Sequence, residues 1–259
     1  MNKRQPKTKK ELKKIIDSEI KRNGISCNLS HLDVSKVTDM SELFANSSFN
    51  GNISSWDMSK VEDIYSMFSD SKFNGDISSW NVSRVSNFYN LFGRSRFDGD
   101  ISSWDVSGAN NMASMFRSSK FNGDISKWDV SNVKVMYQMF DSSEFNCDIS
   151  SWNVSQLENA SWMFFESKFN GDLSKWDVSK VKDFGFMFCR SSFEGDVSDW
   201  NVSEAMSMDG MFSESALSKK INISYPKFEV IKSHFLSLKL EIGLQARPSK
   251  KTKSTKIRL

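Results

Sequence analysis

Phe73-Asn74-Gly75-Asp76-Ile77-Ser78-Ser79-Trp80-Asn81-Val82-Ser83-Arg84-Val85-Ser86-Asn87-Phe88-Tyr89-Asn90-Leu91-Phe92 decides the fold of this chain, because it recurs. Its tryptophan returns at Trp56, Trp80, Trp104, Trp128, Trp152, Trp176 and Trp200, an unbroken 24-residue interval. A unit this short cannot bury its own apolar face. Copies must therefore stack on one another, and the expected product is a solenoid with a continuous core.

Three local rules divide the unit. Asn74-Gly75 is a turn signal, since both residues tolerate positive φ. Ile77, Trp80 and Val82 then read as a short half-buried strand. Ser83 precedes apolar residues at 85, 88, 91 and 92, the spacing of a short helix with serine as its N-cap. In two copies the third residue on is glutamate, Ser59 with Glu62 and Ser155 with Glu158, which predicts capping boxes. Stacking at strand spacing, about 4.8 Å, sets Trp80 beside Trp56 and Trp104, and Phe92 beside Phe68 and Phe116. These aromatic ladders are the expected core, and eight copies make a stack of roughly 40 Å.

The expected class is α/β: eight 24-residue repeats over 25–217, each with one short strand and one short helix, and helical caps at both ends. Residues 1–24 read as a basic N-terminal capping helix. It opens with a capping box at Thr8-Lys9-Lys10-Glu11, carries Leu12, Ile15, Ile16 and Ile20 on one face, and ends at Asn23-Gly24. Leu32 stands in the first copy where later copies have Trp. Over 218–245, Ile221 and Ile223 continue the strand register and Phe228, Ile231, Phe235 and Leu238 mark a second capping helix. Residues 246–259 have the composition of a disordered basic tail.

The formal charge of +3 conceals a segregation. Residues 1–22 hold nine Lys/Arg against three acids, 242–259 hold six Lys/Arg and no acid, and the stretch between carries a net −9. Basic ends can attract nucleic acid or anionic lipid, but an acidic body disfavours wrapping DNA. The bases then read first as a solvated tail. Cys27, Cys147 and Cys189 are odd in number and lack metal-type spacing, so no disulfide framework is expected. The opening Met1-Asn2-Lys3-Arg4-Gln5-Pro6 leads into charged residues without the apolar core of a signal peptide, and no transmembrane segment is expected.

Enzyme chemistry finds little support. His31 and His234 are the only histidines, too few for a His-rich metal cluster, and the Asp that follows each turn, as at Asp76, Asp100, Asp124 and Asp172, repeats with the fold. No cofactor is expected. Binding is the expected activity, and two sets of residues are candidates for it. Asp57, Asp105, Asp129 and Asp177 belong to an outward column shared with Asp33, Asn81, Asn153 and Asn201, an acidic stripe for a basic partner or an Asx column supporting a bend. The second set lies where the copies disagree: Ser41, Tyr65, Tyr89, Ala113, Tyr137, Ser161, Gly185 and Asp209 at one position, and Glu42, Ser66, Asn90, Ser114, Gln138, Trp162, Phe186 and Gly210 at the next. Tyr65, Tyr89, Tyr137, Trp162 and Phe186 there form a candidate partner-binding patch, as exposed aromatics do at interfaces, unless they pack under the return loops.

The pattern Phe-Asn-Gly-Asp-Ile-Ser-x-Trp-Asp-Val-Ser-x-Val-x-x-Met-x-x-Met-Phe, as it stands from Phe121 to Phe140, resembles the BspA-like leucine-rich repeat family, including the version abundant in mycoplasma lipoproteins and other bacterial surface proteins. The resemblance covers about 25–217. It implies a leucine-rich-repeat-type solenoid and a role in adhesion or host-protein binding, although the export signal of many members is not visible. Two other readings stay open: an intracellular phage or mobile-element factor that sequesters a host protein, and a nucleic-acid-associated protein acting through its basic termini.

Overall fold

The computed structural model of the protein describes residues 4–245, so the basic tail expected at 246–259 lies outside the described residues. Among the described residues there are three helices: α1 (Lys9–Asn23), α2 (Ala216–Lys220) and α3 (Phe228–Gln245). Helix α1 begins as its sequence requires. Thr8 Oγ1 accepts the Glu11 N–H at 3.2 Å, and the Glu11 carboxylate accepts from the Lys7 N–H at 2.8 Å. Leu12 and Ile16 are fully buried, with Ile15 and Ile20 half-buried against the same cluster. Each fully buried aliphatic side chain of this kind stabilises by about 1.5–3 kcal/mol. Gly24, at φ 84, ends the helix by donating its N–H to the Ile20 carbonyl at 2.8 Å.

Between α1 and α2 the described residues contain neither a regular helix nor a named strand. Neighbouring copies are instead joined by isolated parallel bridges in a strict register, from Asp39 with Asp63 and Asp63 with Asn87 to Asp183 with Ser207. Around each bridge the backbone alternates. Ser66, Phe68 and Asp70 donate to the Tyr89, Leu91 and Gly93 carbonyls of the next copy at 3.0, 3.0 and 2.8 Å, whereas Met67, Ser69 and Ser71 turn back on Ile64, Ser66 and Phe68.

This segment was expected to be the short helix, and the physical reason for the difference is hydrogen-bond accounting. A helix of about ten residues is marginal alone. It would also spend its interior N–H groups within its own copy and leave nothing for the neighbour. The alternation gives every second N–H to the adjoining copy at the cost of left-handed residues, with Ser66 at φ 50 and Asp70 at φ 54. The apolar spacing of three at Val85, Phe88 and Leu91 serves such a run of turns as well as it serves a helix.

Other local expectations also change. The expected strand at Ile77, Trp80 and Val82 is two turns, closed by Trp80 N–H to Ile77 O at 3.1 Å and Val85 N–H to Val82 O at 2.9 Å. The capping boxes at Ser59 and Ser155 are not formed. Ser59 and Ser155 donate their N–H groups to Asp57 and Asn153, and Glu62 and Glu158 pair across copies with Arg84 and Lys182. Gly75 does not have positive φ. It is small because the Phe73 ring closes over it, where an added Cβ would meet two ring carbons at 2.9 Å. Ile221 and Ile223 do not extend a strand register: α2 intervenes, and Ile223 is exposed.

The core is a set of aromatic columns. Every Trp of the ladder is buried and donates its indole N–H to a carbonyl of the preceding copy, as Trp128 does to Ile101 O at 3.1 Å. Burial of the indole therefore leaves no unpaired donor. Column spacing is unequal across the molecule. Ring centroids lie 5.7 Å apart for Phe68 and Phe92, but 6.4 Å for Phe73 and Phe97 and 6.5 Å for Trp56 and Trp80. The copies thus converge on the bridged side and fan out on the tryptophan side.

Beyond the last copy, Ser215 caps α2 by accepting the Ser218 N–H at 3.0 Å. Helix α3 buries Phe228 and Ile231 against the core, and Lys239 reaches Asp196 and Asp199 at 3.1 and 2.8 Å.

Candidate functional site

The Asp column is built into turns. Asp57, Asp105, Asp129 and Asp177 each accept the N–H of the serine two residues on, at 3.0, 3.1, 3.0 and 3.1 Å. The serine hydroxyl and then this N–H hold all four carboxyls below their ordinary range. They are exposed, so a partner can reach them, but much of their hydrogen-bonding capacity is engaged locally. Asp76, Asp100, Asp124 and Asp172 form the same turn with Ser78, Ser102, Ser126 and Ser174.

The variable aromatics lie on the bridged, convergent side, but not as one continuous patch. Tyr65 is exposed, and its ring stacks on the half-buried Tyr89 at 5.2 Å and 5°. Tyr137, half-buried, is separated from this pair by the small Ala113. Trp162 forms a second cluster, with centroids 4.6 Å from Phe186 and 4.6 Å from Phe165. All three rings of that cluster are partly exposed.

Trp162 and Phe186 occupy left-handed backbone, at φ 60 and 56. The conformation is imposed by the fold, since Glu42, Ser66, Asn90, Ser114 and Gln138 adopt it in the same column. It is nonetheless a poor place for a bulky ring, because only glycine, and to a lesser degree Asn or Asp, visits this region readily. The next copy has Gly210 there, and an added Cβ would meet the Phe186 ring at 2.6 Å. The Phe186 ring therefore occupies the space that a side chain at Gly210 would need.

Beside these rings is an open groove of about 540 Å³, lined also by Tyr225, Pro226 and Lys227. Its lining joins the last three copies to the segment before α3. Arg190 runs along it between Glu166 and Glu214, at 3.2 and 3.0 Å, and Tyr225 Oη donates to Glu214 at 3.2 Å. The two carboxylates raise the Arg190 pKa above its usual value, and Arg190 lowers that of Glu214. Phe165 and Tyr225 escaped the sequence reading. Phe165 falls in a column filled elsewhere by Ala45, Ser69, Gly93 and Arg117, where its singularity was the available signal, and Tyr225 lies outside the period.

Among the described residues no group of three His, Cys, Asp or Glu is placed to hold a metal ion. No described helix is long and apolar enough to cross a membrane. The three cysteines are free, and burial raises the pKa of each thiol.

No curated protein and no solved structure matches the chain. One family pattern does, described as Mycoplasma protein of unknown function, DUF285, and it is matched twice, over residues 12–120 and 110–225. Those two stretches take in all of the repeats, most of α1 and the whole of α2 but not α3, and the chain belongs to this mycoplasma repeat family.

Proposed function

We propose that the chain is a non-enzymatic binding protein, a leucine-rich-repeat-type solenoid of eight copies that presents its convergent, bridged side to a protein partner. The observation that carries this reading is the placement of Tyr65, Tyr89, Trp162 and Phe186. The Trp column and the two Phe columns keep one residue type and stay buried, whereas these rings vary between copies and remain partly exposed. Trp162 and Phe186 also sit on backbone that disfavours them, an arrangement that folding alone does not reward. Exposed aromatics supply large contact area at low entropic cost. The resemblance of the repeat to the BspA-like family supports binding of an adhesion or host-recognition kind.

Quantitative affinity capture from cells, with wild type and two variants, tests this. Replacing Tyr65, Tyr89 and Trp162 by Ala should remove the captured partner, whereas neutralising Lys250, Lys251, Lys253, Lys256 and Arg258 should leave it bound. Loss confined to the tail variant, with a steep salt dependence, would instead favour nucleic acid.

A further inference from the structure

The groove beside Trp162 combines apolar rings with an uncommitted negative charge. Rings of Trp162, Phe165, Phe186 and Tyr225 line it together with Met208 and Asp209. The Asp209 backbone carbonyl accepts the Phe186 N–H at 2.8 Å, which fixes the residue beneath the aromatic cluster. Its side chain is exposed, and among the described residues the carboxylate makes no hydrogen bond or ion pair. That sets it apart from Glu214 in the same groove, which is taken up by Arg190 and Tyr225.

Two bases also line the groove. Arg190 is held between two carboxylates, so the Glu166, Arg190 and Glu214 group keeps one net negative charge. Lys227 is exposed at the rim and is the opposing charge. The charges that line the groove balance, Arg190 and Lys227 against Glu214 and Asp209, and Glu166 behind Arg190 tips the surroundings to negative, beside π surfaces whose quadrupoles attract cations.

We infer that the groove formed by Trp162, Phe165, Phe186, Tyr225 and Asp209 receives an arginine side chain from an extended segment of the protein partner. A planar guanidinium stacks on an aromatic face while donating to a carboxylate, two contacts that an ammonium makes less well. The volume suits the site: pockets that enclose small ligands or a few residues of chain span about 300–1,000 Å³. Gly210 contributes by leaving room for the Phe186 ring, which an added Cβ would meet at 2.6 Å. This inference rests on the protein-binding reading proposed above and adds the chemistry of the partner.

The test uses the full chain and a capped Gly-Arg-Gly peptide, with a citrulline peptide as its neutral isostere. The readout is the indole N–H resonance of Trp162, the only tryptophan outside the ladder. The arginine peptide should shift that resonance and leave the seven ladder indoles in place. The citrulline peptide should bind at least about fivefold more weakly, the scale of an exposed cation–π contact. Asp209→Asn, which keeps the size of an exposed side chain, should erase the difference between the peptides without moving the melting temperature. Equal binding of the two peptides to wild type would overturn the inference, as would a Trp162 resonance that neither peptide moves. Failure of the wider reading would look different: the aromatic variant would still capture its partner whatever the peptides do.

Discussion

The inner and outer columns of the repeat obey opposite rules. Inside, Trp80, Phe92 and Phe97 recur with the same identity in the next copy, at Trp104, Phe116 and Phe121, and all are buried. Each must fill the same volume between two identical neighbours, and an indole there must also reach the carbonyl that accepts it. Outside, the column of Tyr65, Tyr89, Ala113, Tyr137 and Ser161 shares backbone conformation and bridge register but not chemistry. Geometry there is supplied by main-chain bonds, so the side chain can range from the exposed Tyr65 to the buried Ala113 and Ser161. A repeat protein can therefore vary its surface while its Trp and Phe columns are held fixed, and that freedom supports a binding role.

The sharpest way to break this contrast is to empty an inner site. Trp128→Ala should cost about 3–5 kcal/mol, read by chemical denaturation, because it opens a cavity between two copies and orphans the Ile101 carbonyl. Unfolding should also become less cooperative. A smaller loss is expected at Gly123→Ala, where a Cβ would stand 2.9 Å from two carbons of the Phe121 ring. Overpacking of that kind costs about 1–3 kcal/mol, and the same assay measures it.

Acid should weaken the stack next. Asp57, Asp105, Asp129 and Asp177 have folded pKa values below the ordinary aspartate value, so they stabilise the folded chain above the unfolded pKa and lose that contribution as pH falls through the folded values. Melting temperature should hold near about pH 5 and drop towards about pH 2. Replacing the four by Asn, which preserves the turn acceptor, should flatten that drop. The smallest effect belongs to the outer column: Tyr137→Ala should leave stability within about 1 kcal/mol, as for surface sites generally.

Much of the inner architecture was legible in the sequence, and the reason is periodicity. A residue that recurs every 24 positions and is large and apolar has to face its own copies, so Trp128 and Phe116 could be placed in the core unaided. Helices α1 and α3 also lie where capping and apolar spacing put them. The conformation inside each copy was not legible. Val85, Phe88 and Leu91 fit a helix and a run of turns alike, and the left-handed residues that decide between them are mostly Ser, Glu, Asn and Arg, not the expected glycines. Gly75 misled for the same reason: its smallness answers to the Phe73 ring and not to a positive φ. Of the candidate site, the variable aromatics could be found by comparing copies. The groove could not, since Tyr225 and Lys227 come to it from outside the repeat.

Hydrogen exchange of the eight indole N–H groups tests the central claim most directly. Seven of them donate to carbonyls inside the stack and should exchange slowly, those at Trp104, Trp128 and Trp152 slowest of all, while Trp162 on the outer column should exchange at nearly the rate of free tryptophan. Ladder indoles that exchange as fast as Trp162 would contradict the separation of a fixed interior from a free binding surface.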